Sequence, residues 1–167
     1  MFTVGEKVVY PAHGAGVVEA VEQREILGEQ RDYYVLRMTS GELRVLVPVD
    51  GVVQAGLRAV STPDKWKEVV AILSGEDPVQ RDWEVNWNKR YRANLDKIKS
   101  GDICALAQVI RSLYHRDSAR GLAAGEKKML DKAKSILLSE VVLSAGLDQE
   151  DAAQRLETYL SAGETDR

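Results

Sequence analysis

The side chains able to carry acid-base, nucleophilic or metal chemistry are few in this chain, and they are far apart. His13 lies in a Pro-Ala-His-Gly turn, His115 lies about 100 residues later at a predicted helix end, and Cys104 is the single cysteine. No motif joins either histidine to a nucleophile, and one Cys with two scattered His matches no metal-ligand spacing. The sequence therefore predicts no catalytic residue, no metal, no cofactor and no enzymatic activity.

Two further candidate sites have ordinary structural explanations. Gly14-Ala15-Gly16 leads into a predicted strand and is not followed by Lys-Ser or Lys-Thr, so it does not match a phosphate-binding loop. Glycine there is expected to serve a tight turn with positive φ. Cys104 stands among apolar residues of a predicted helix, which favours a buried, inert thiol.

A clearer chemical signal is the run Trp87-Asn88-Lys89-Arg90-Tyr91-Arg92. Residues 87 to 136 carry 12 basic and 5 acidic side chains, a local net charge of +7 in a chain whose total is −3. A positive block that opens with an aromatic residue is typical of a surface that meets nucleic-acid phosphate. The alternative is a solvated face with weak local ion pairs, although a net of +7 exceeds what such pairing needs. Those pairs would involve Asp96, Asp102, Glu126 and Asp131.

Trp87 itself has two interpretations. It lies four residues before Tyr91, so it could extend an apolar helical stripe through Tyr91 and Ile98 into a core. It also stands at the start of a predicted helix among polar and basic neighbours, where a side chain can project past the bundle, leaving Trp66 and Trp83 for packing. Spacing alone leaves both interpretations open.

Before about residue 60, short β-branched runs are separated by glycine-containing turns. The runs are Lys7 to Tyr10, Gly16 to Val21, Tyr33 to Met38 and Leu43 to Val47, with turns predicted at Pro11 to Gly14, Leu27 to Glu29 and Ser40-Gly41. Four or five strands in so short a segment are too few for a sandwich. They favour a small closed β-barrel of the SH3 or Tudor kind.

After Ser61-Thr62-Pro63 the apolar period lengthens to that of helices. Five helices are expected: Lys65 to Leu73 capped by Asp64, Asn86 to Lys99, Asp102 to about Arg116, Gly125 to Ala145, and one capped by Asp148 that runs through Leu160. Pro78 marks a loop, and only the tail from 163 to 167 should be loose. The expected fold class is α+β, with a barrel domain at 1–60 and a helical domain at 64–162.

Several strings of residues, in order along the chain, carry a resemblance to a known family. They are Val8-Val9-Tyr10-Pro11-Ala12-His13-Gly14, then Tyr33-Tyr34-Val35-Leu36 and Val47-Pro48, then Gly56-Leu57-Arg58, then Trp87-Asn88-Lys89-Arg90-Tyr91, and finally Gly121-Leu122 with Gly125-Glu126-Lys127-Lys128-Met129-Leu130. From about residue 1 to 160 the chain resembles the CarD/CdnL family of bacterial RNA polymerase-binding transcription regulators.

The resemblance implies a division of labour between the two domains. A Tudor-like N-terminal domain, shared with the transcription-repair coupling factor, would bind the RNA polymerase β subunit of the holoenzyme. The helical domain would bind promoter DNA beside the −10 element, where the Trp matching Trp87 acts as a minor-groove wedge at the upstream edge of the bubble. Such a wedge holds partly unstacked DNA, so the protein is expected to stabilise the open promoter complex.

Residue roles follow from the same resemblance. DNA contacts are expected at Trp87, Lys89, Arg90, Arg92, Lys127, Lys128, Lys132 and Lys134, with structural roles as the alternative for Arg90 and Tyr91. Polymerase contacts are expected at Arg24, Arg44, Leu46 and Pro48, with the strand from Leu43 to Pro48 pairing edge to edge with the β subunit. Some relatives carry Arg where this chain has Leu46, so a hydrophobic contact and substitution by Arg44 both remain open.

Phosphate contacts carry little sequence information, so DNA binding by the isolated protein should be weak, salt-sensitive and largely nonspecific. We expect a cytoplasmic monomer, associated with the nucleoid through the polymerase and without membrane contact. The alternative function is a protein–protein interaction adaptor whose basic helices bind an acidic protein instead of DNA. An enzyme would require His13 or His115 in a pocket with paired carboxylates.

Overall fold

A computed structural model describes residues 1–11, 13–39, 43–75 and 86–165 of the chain. The protein has the predicted α+β class, with an antiparallel sheet followed by helices. The strands are β1 (Lys7–Tyr10), β2 (Gly14–Ile26), β3 (Glu29–Met38), β4 (Arg44–Pro48) and β5 (Arg58–Ala59). Their order across the sheet is β4-β3-β2-β1-β5.

The sheet does not close into the predicted barrel. In the part of the chain that the structure describes, β4 and β5 are its two edges and are not paired with each other. After β4 the chain passes through a 3₁₀ turn (Val49–Gly51) and the short helix α1 (Val52–Ala55), which ends at Gly56 with φ +71°. This path places the two-residue strand β5 beside β1 and not beside β4. The outer edge of β4 is therefore not paired with another strand among the described residues.

The longest structure in the sheet is the β2–β3 hairpin. Its turn is Leu27-Gly28, with both φ angles positive at 55° and 81°, as in the tight turns whose twist matches that of a hairpin. A bulge between Val18 and Ala20 shifts the register once. One face of the sheet carries the apolar core of this domain, built from Val8, Val18, Tyr34, Leu36, Met38, Val47 and Leu57.

The helical part contains α2 (Pro63–Leu73), α3 (Trp87–Lys99), α4 (Ile103–Arg120), α5 (Ala124–Ala145) and α6 (Gln149–Thr165). Helix α4 contributes most to the core, because Leu106, Val109, Ile110 and Leu113 are all buried. Asp102 accepts the N–H of Cys104 at 2.9 Å at the start of α4, and Asp148 accepts that of Glu150 at 3.2 Å before α6. Both aspartates stand where the sequence predicts helix starts.

Helix α4 runs four residues past its predicted end at Arg116, and two other helix ends also differ from the predictions. Thr62 caps α2, where Asp64 was expected, and its Oγ1 accepts the N–H of Lys65 at 3.3 Å. Pro63 takes the first helical position, where a missing N–H costs nothing. Helix α6 continues past Leu160 to Thr165, which corrects the expectation of a loose tail from residue 163. Gly163 packs against the end of α2, where an added Cβ would be 3.1 Å from the Ser74 carbonyl oxygen.

Cys104 is only partly buried, which corrects the expectation of a fully buried thiol. Its Sγ lies 3.6 Å from Glu68 Oε2, and burial is the main cause that raises the pKa of the thiol. A raised pKa leaves less of the reactive thiolate at neutral pH, in keeping with the inert role expected.

Some predictions fall outside the described residues. These are the position of Ala12 in the first turn, the turn at Ser40-Gly41, the loop at Pro78, the packing of Trp83 and the last two residues of the tail. Among the helices that are described, none is both long enough and apolar enough to cross a membrane.

Helix α5 joins the helical part to the sheet. The Ala15 N–H donates to Ser139 Oγ at 2.9 Å, and Lys7 Nζ donates to the Leu143 carbonyl at 2.9 Å. Gly14 permits this approach, since its φ is +105° and an added Cβ would lie 2.8 Å from Ser139 Oγ. Gly14, which was predicted to serve a tight turn, therefore also allows α5 to pack closely against the sheet.

A buried ion pair reinforces this junction. Arg58 donates from Nη1 and Nη2 to the two carboxylate oxygens of Glu140, at 3.0 and 2.7 Å, and Glu140 is only 1% exposed. The Ser61 N–H donates to the same carboxylate at 2.7 Å. We call Arg58, Ser61 and Glu140 the interdomain clamp. Two-point pairing fixes direction as well as distance, so the clamp sets how the sheet is oriented on α5.

Candidate nucleic-acid interface

Trp87 is the first residue of α3, and local capping fixes where the helix begins. Asn86 is the N-cap, and its side chain accepts the N–H of Asn88 at 2.8 Å. The Trp87 side chain remains 42% exposed. Its ring stacks on that of Tyr91, with the centroids 5.1 Å apart and the planes 20° from parallel. Trp87 is therefore neither buried in the helical core nor free of the protein.

The indole edge is held by the start of α5. Trp87 Nε1 donates to Glu126 Oε1 at 3.1 Å, and an added Cβ on Gly125 would lie 3.8 Å from Trp87 Cζ2. Nε1 and Cζ2 belong to the same side of the indole, so this edge faces the protein. The exposed part of the ring lies away from Tyr91 and α5.

Glu126 also binds Arg90, and both side chains are buried, at 2% and 6% exposure. Arg90 Nε lies 3.3 Å from Glu126 Oε2, and Arg90 Nη2 lies 3.4 Å from Oε1. A buried guanidinium paired with a carboxylate cannot reach DNA phosphate without breaking that pair. The predicted phosphate contact of Arg90 is therefore not supported, and the structural role left open for it is favoured.

Exposed cations also lie near the starts of the two helices that the Trp87–Glu126 hydrogen bond joins. Lys89 and Arg92 lie in the first two turns of α3, and Lys127 and Lys128 lie in the first two turns of α5. We call these four residues together with Trp87 the basic corner. The Trp87–Glu126 hydrogen bond brings the two helix starts together, and helix starts themselves carry partial positive charge. Such a surface can attract a chain of phosphates.

The remaining two predicted DNA contacts have different surroundings. Lys132 is exposed and lies four residues after Lys128, so the two share a face of α5. Lys134 is partly buried, its Nζ pairs with Glu157 at 3.0 Å, and it lies 5.5 Å from the centroid of the Tyr114 ring. The structure therefore engages Lys134 with α6, which makes it a poorer candidate for phosphate contact.

The four predicted polymerase contacts lie on one face of the sheet. Three of them occupy alternate positions of β4: Arg44, Leu46 and Pro48. Their side chains therefore point to the face of the sheet opposite to that of buried Val47. Pro48 of β4 pairs with Tyr33 of β3, and Tyr33 pairs with Glu22 of β2, so these three side chains share one face of the sheet. Arg24 lies two residues after Glu22 on β2 and therefore lies on the same face. Arg24 pairs with Arg31 of β3, two residues beyond the last pair between β3 and β4, so it lies nearer to the β2–β3 turn than β4 does.

Both arginines of this face already have acidic partners. Arg24 Nη2 pairs with Glu22 at 2.7 Å, and Arg44 Nε pairs with Glu19 at 2.9 Å. These side chains are substantially exposed, so the pairs are weak and can exchange for other partners. Together with the open edge of β4, they form a surface that can accept an added strand.

Sequence reasoning missed the importance of two carboxylates. Glu126 was treated as one of several weak surface partners, and Glu140 was not singled out. Both fit the apolar stripe of α5, because positions 126, 129, 133, 136, 137 and 140 repeat at helical spacing. An acidic residue in such a stripe indicates a buried partner of opposite charge.

The two histidines lie in different parts of the fold, His13 just before β2 and His115 within α4. His13 is exposed and stacks on Tyr10 with ring centroids 4.5 Å apart. A mostly apolar cavity of about 350 Å³ lies among α2, α5 and α6, and neither histidine lines it. The histidines therefore offer no support for the enzymatic alternative.

The described part of the chain joins a sheet with an open edge to a helical part that carries the basic corner, and comparison with known proteins identifies its class. Residues 68–157 match the model described as CarD, C-terminal domain, and residues 2–61 match the CarD-like/TRCF RID domain. The chain is also 38% identical over 150 residues to the Bacillus subtilis (strain 168) protein named "Putative transcription factor YdeB", covering 89% of this chain and 95% of that protein. The chain belongs to the CarD-like family of transcription factors.

Proposed function

We propose that this protein binds the RNA polymerase β subunit through the sheet and stabilises the open promoter complex through the basic corner. The observation that carries the proposal is the half-exposed Trp87 ring, held where two helix starts with exposed cations meet, in a member of a transcription-factor family. The ring would act as a minor-groove wedge at the upstream edge of the bubble, beside the −10 element. The cations would meet the phosphates on either side.

Weak DNA binding suffices when the polymerase supplies the location. A second contact made within one assembly has an effective concentration set by geometry, commonly in the millimolar range for short connections. The interdomain clamp supports this reading, because it holds the basic corner at a fixed position relative to the sheet. The site of action is then the cytoplasm, at promoters already occupied by polymerase, and one copy of the chain is sufficient.

Site-specific photocrosslinking tests the DNA contact. A photoreactive residue placed at position 89 should crosslink to promoter DNA in open complexes, near the upstream edge of the bubble. The matched control is position 67 on α2, whose lysine is also exposed but lies outside the basic corner. Crosslinking from position 89 to a protein, with none to DNA, would instead support the adaptor alternative.

The polymerase contact has a separate test. Leu46→Asp places a charge in the centre of the proposed β4 interface, and we expect it to weaken binding to the β subunit by at least about tenfold, as for an interface hot spot. Val4→Asp is the matched control, because Val4 is 62% exposed and precedes β1, which β2 and β3 separate from β4 in the sheet. Equal binding by the two variants in a pull-down titration would exclude β4 as the contact strand.

A further inference from the structure

The start of α5 contains a buried carboxylate whose position apolar packing alone does not explain. A buried ion pair such as Arg90–Glu126 is often no more stabilising than apolar residues of the same volume. Here, however, the carboxylate also accepts the indole N–H of the one large aromatic side chain of the basic corner. The three side chains are connected by hydrogen bonds: buried Arg90 binds buried Glu126, and Glu126 binds the half-exposed Trp87.

We propose that Glu126 is the positioning residue of Trp87, a proposal that rests on the function proposed above. Arg90 fixes the carboxylate, and the carboxylate fixes the indole by its N–H. Tyr91 supports one ring face, and Gly125 leaves room for the ring edge. The indole therefore meets DNA in one orientation, with the opposite edge outward, and does not lose side-chain freedom on binding.

The alternative is that Arg90 and Glu126 only hold α3 against α5. Removing either charge alone would not separate the two roles, because a single buried charge would be left without its partner and the domain would be destabilised. A pair of double variants avoids this problem. Arg90→Met with Glu126→Gln keeps an oxygen acceptor for the indole, whereas Arg90→Met with Glu126→Met removes it at nearly the same side-chain length.

The first readout is the indole N–H of Trp87, observed by ¹H–¹⁵N NMR of the full chain and assigned by its loss in Trp87→Phe. We expect this N–H to be protected from solvent exchange in the wild type and in the variant with Glu126→Gln. The variant with Glu126→Met should exchange several-fold faster. Equal protection in the two double variants would overturn the positioning role.

The second readout is the lifetime of open complexes formed by polymerase holoenzyme with each variant. The Glu126→Met variant should shorten the lifetime by about two- to tenfold relative to its Glu126→Gln counterpart, the range expected when one large side chain loses its pre-ordering. Equal lifetimes for these two variants, with Trp87→Ala still harmful, would overturn the positioning role alone. If Trp87→Ala were itself without effect, the proposed function would fail as well.

Discussion

Replacement of Trp87 by alanine will shorten the lifetime of the open promoter complex about tenfold, while binding to the polymerase β subunit stays unchanged. Stacking of a base on an aromatic side chain contributes about 1–3 kcal/mol by alanine substitution, and a loss of about 1.4 kcal/mol corresponds to a factor of ten. The exposed ring is the part of the basic corner able to supply this contact. Polymerase binding is spared because Trp87 lies in the helical part, away from β4.

The measurement is the decay of open complexes after addition of a competitor, followed by promoter fluorescence or footprinting. Trp87→Phe is the informative control, since it keeps an aromatic plate but lacks the N–H that binds Glu126. We expect it to retain an intermediate lifetime. A lifetime that Trp87→Ala leaves within twofold of the wild type, with the variant folded and bound to polymerase, would exclude the wedge.

The second large effect concerns stability. Arg58→Ala is expected to lower the free energy of unfolding by about 3–5 kcal/mol, because it leaves the buried Glu140 carboxylate without its charged partner. It also removes the 2.6 Å hydrogen bond from Arg58 Nε to the Gly101 carbonyl, at the turn between α3 and α4. Urea unfolding of the full chain, followed by circular dichroism, measures the change.

Two comparisons give this experiment its meaning. Arg31→Ala removes a surface arginine whose ion pair with Glu29 is largely exposed, and should cost less than about 1 kcal/mol. Arg58→Met combined with Glu140→Met should recover much of the loss, because no charge is then buried alone. If Arg58→Ala and Arg31→Ala unfolded at the same urea concentration, the clamp would have no structural importance.

Local patterns in the sequence were sufficient to predict most strands and helices. Alternating β-branched runs predicted β1 and β4 nearly to their ends and β3 without its first four residues, from Glu29 to Asp32. Helical spacing predicted α3, α4 and α5. Barrel closure could not be predicted in the same way, since it depends on long-range pairing. The short helix α1 directs β5 to β1, and nothing in the local spacing around Arg58 specifies that partner.

The candidate site shows the same limit. On a helical wheel Trp87 falls on the buried side of α3, in line with Ile98, so the sequence left its exposure open. Its partial exposure depends on the start of α5, which covers one edge of the ring and leaves the rest outside. Helical spacing places Lys89 away from this buried side of α3 and Arg90 beside it, but the Glu126 partner that buries the Arg90 charge comes from packing against α5.

Glu126 and Glu140 are fourteen residues apart on α5, which corresponds to about 21 Å of helix. Glu126 binds Trp87 and Glu140 binds Arg58 of the sheet, so the length of α5 between them acts as a molecular ruler that fixes the distance from the tryptophan to the sheet. In the proposed complex, the length of this ruler, measured from the polymerase, decides which base step the ring meets. The position of the contact on the promoter would thus be set by distance from the polymerase, and the base sequence there would matter only through how easily the bases unstack.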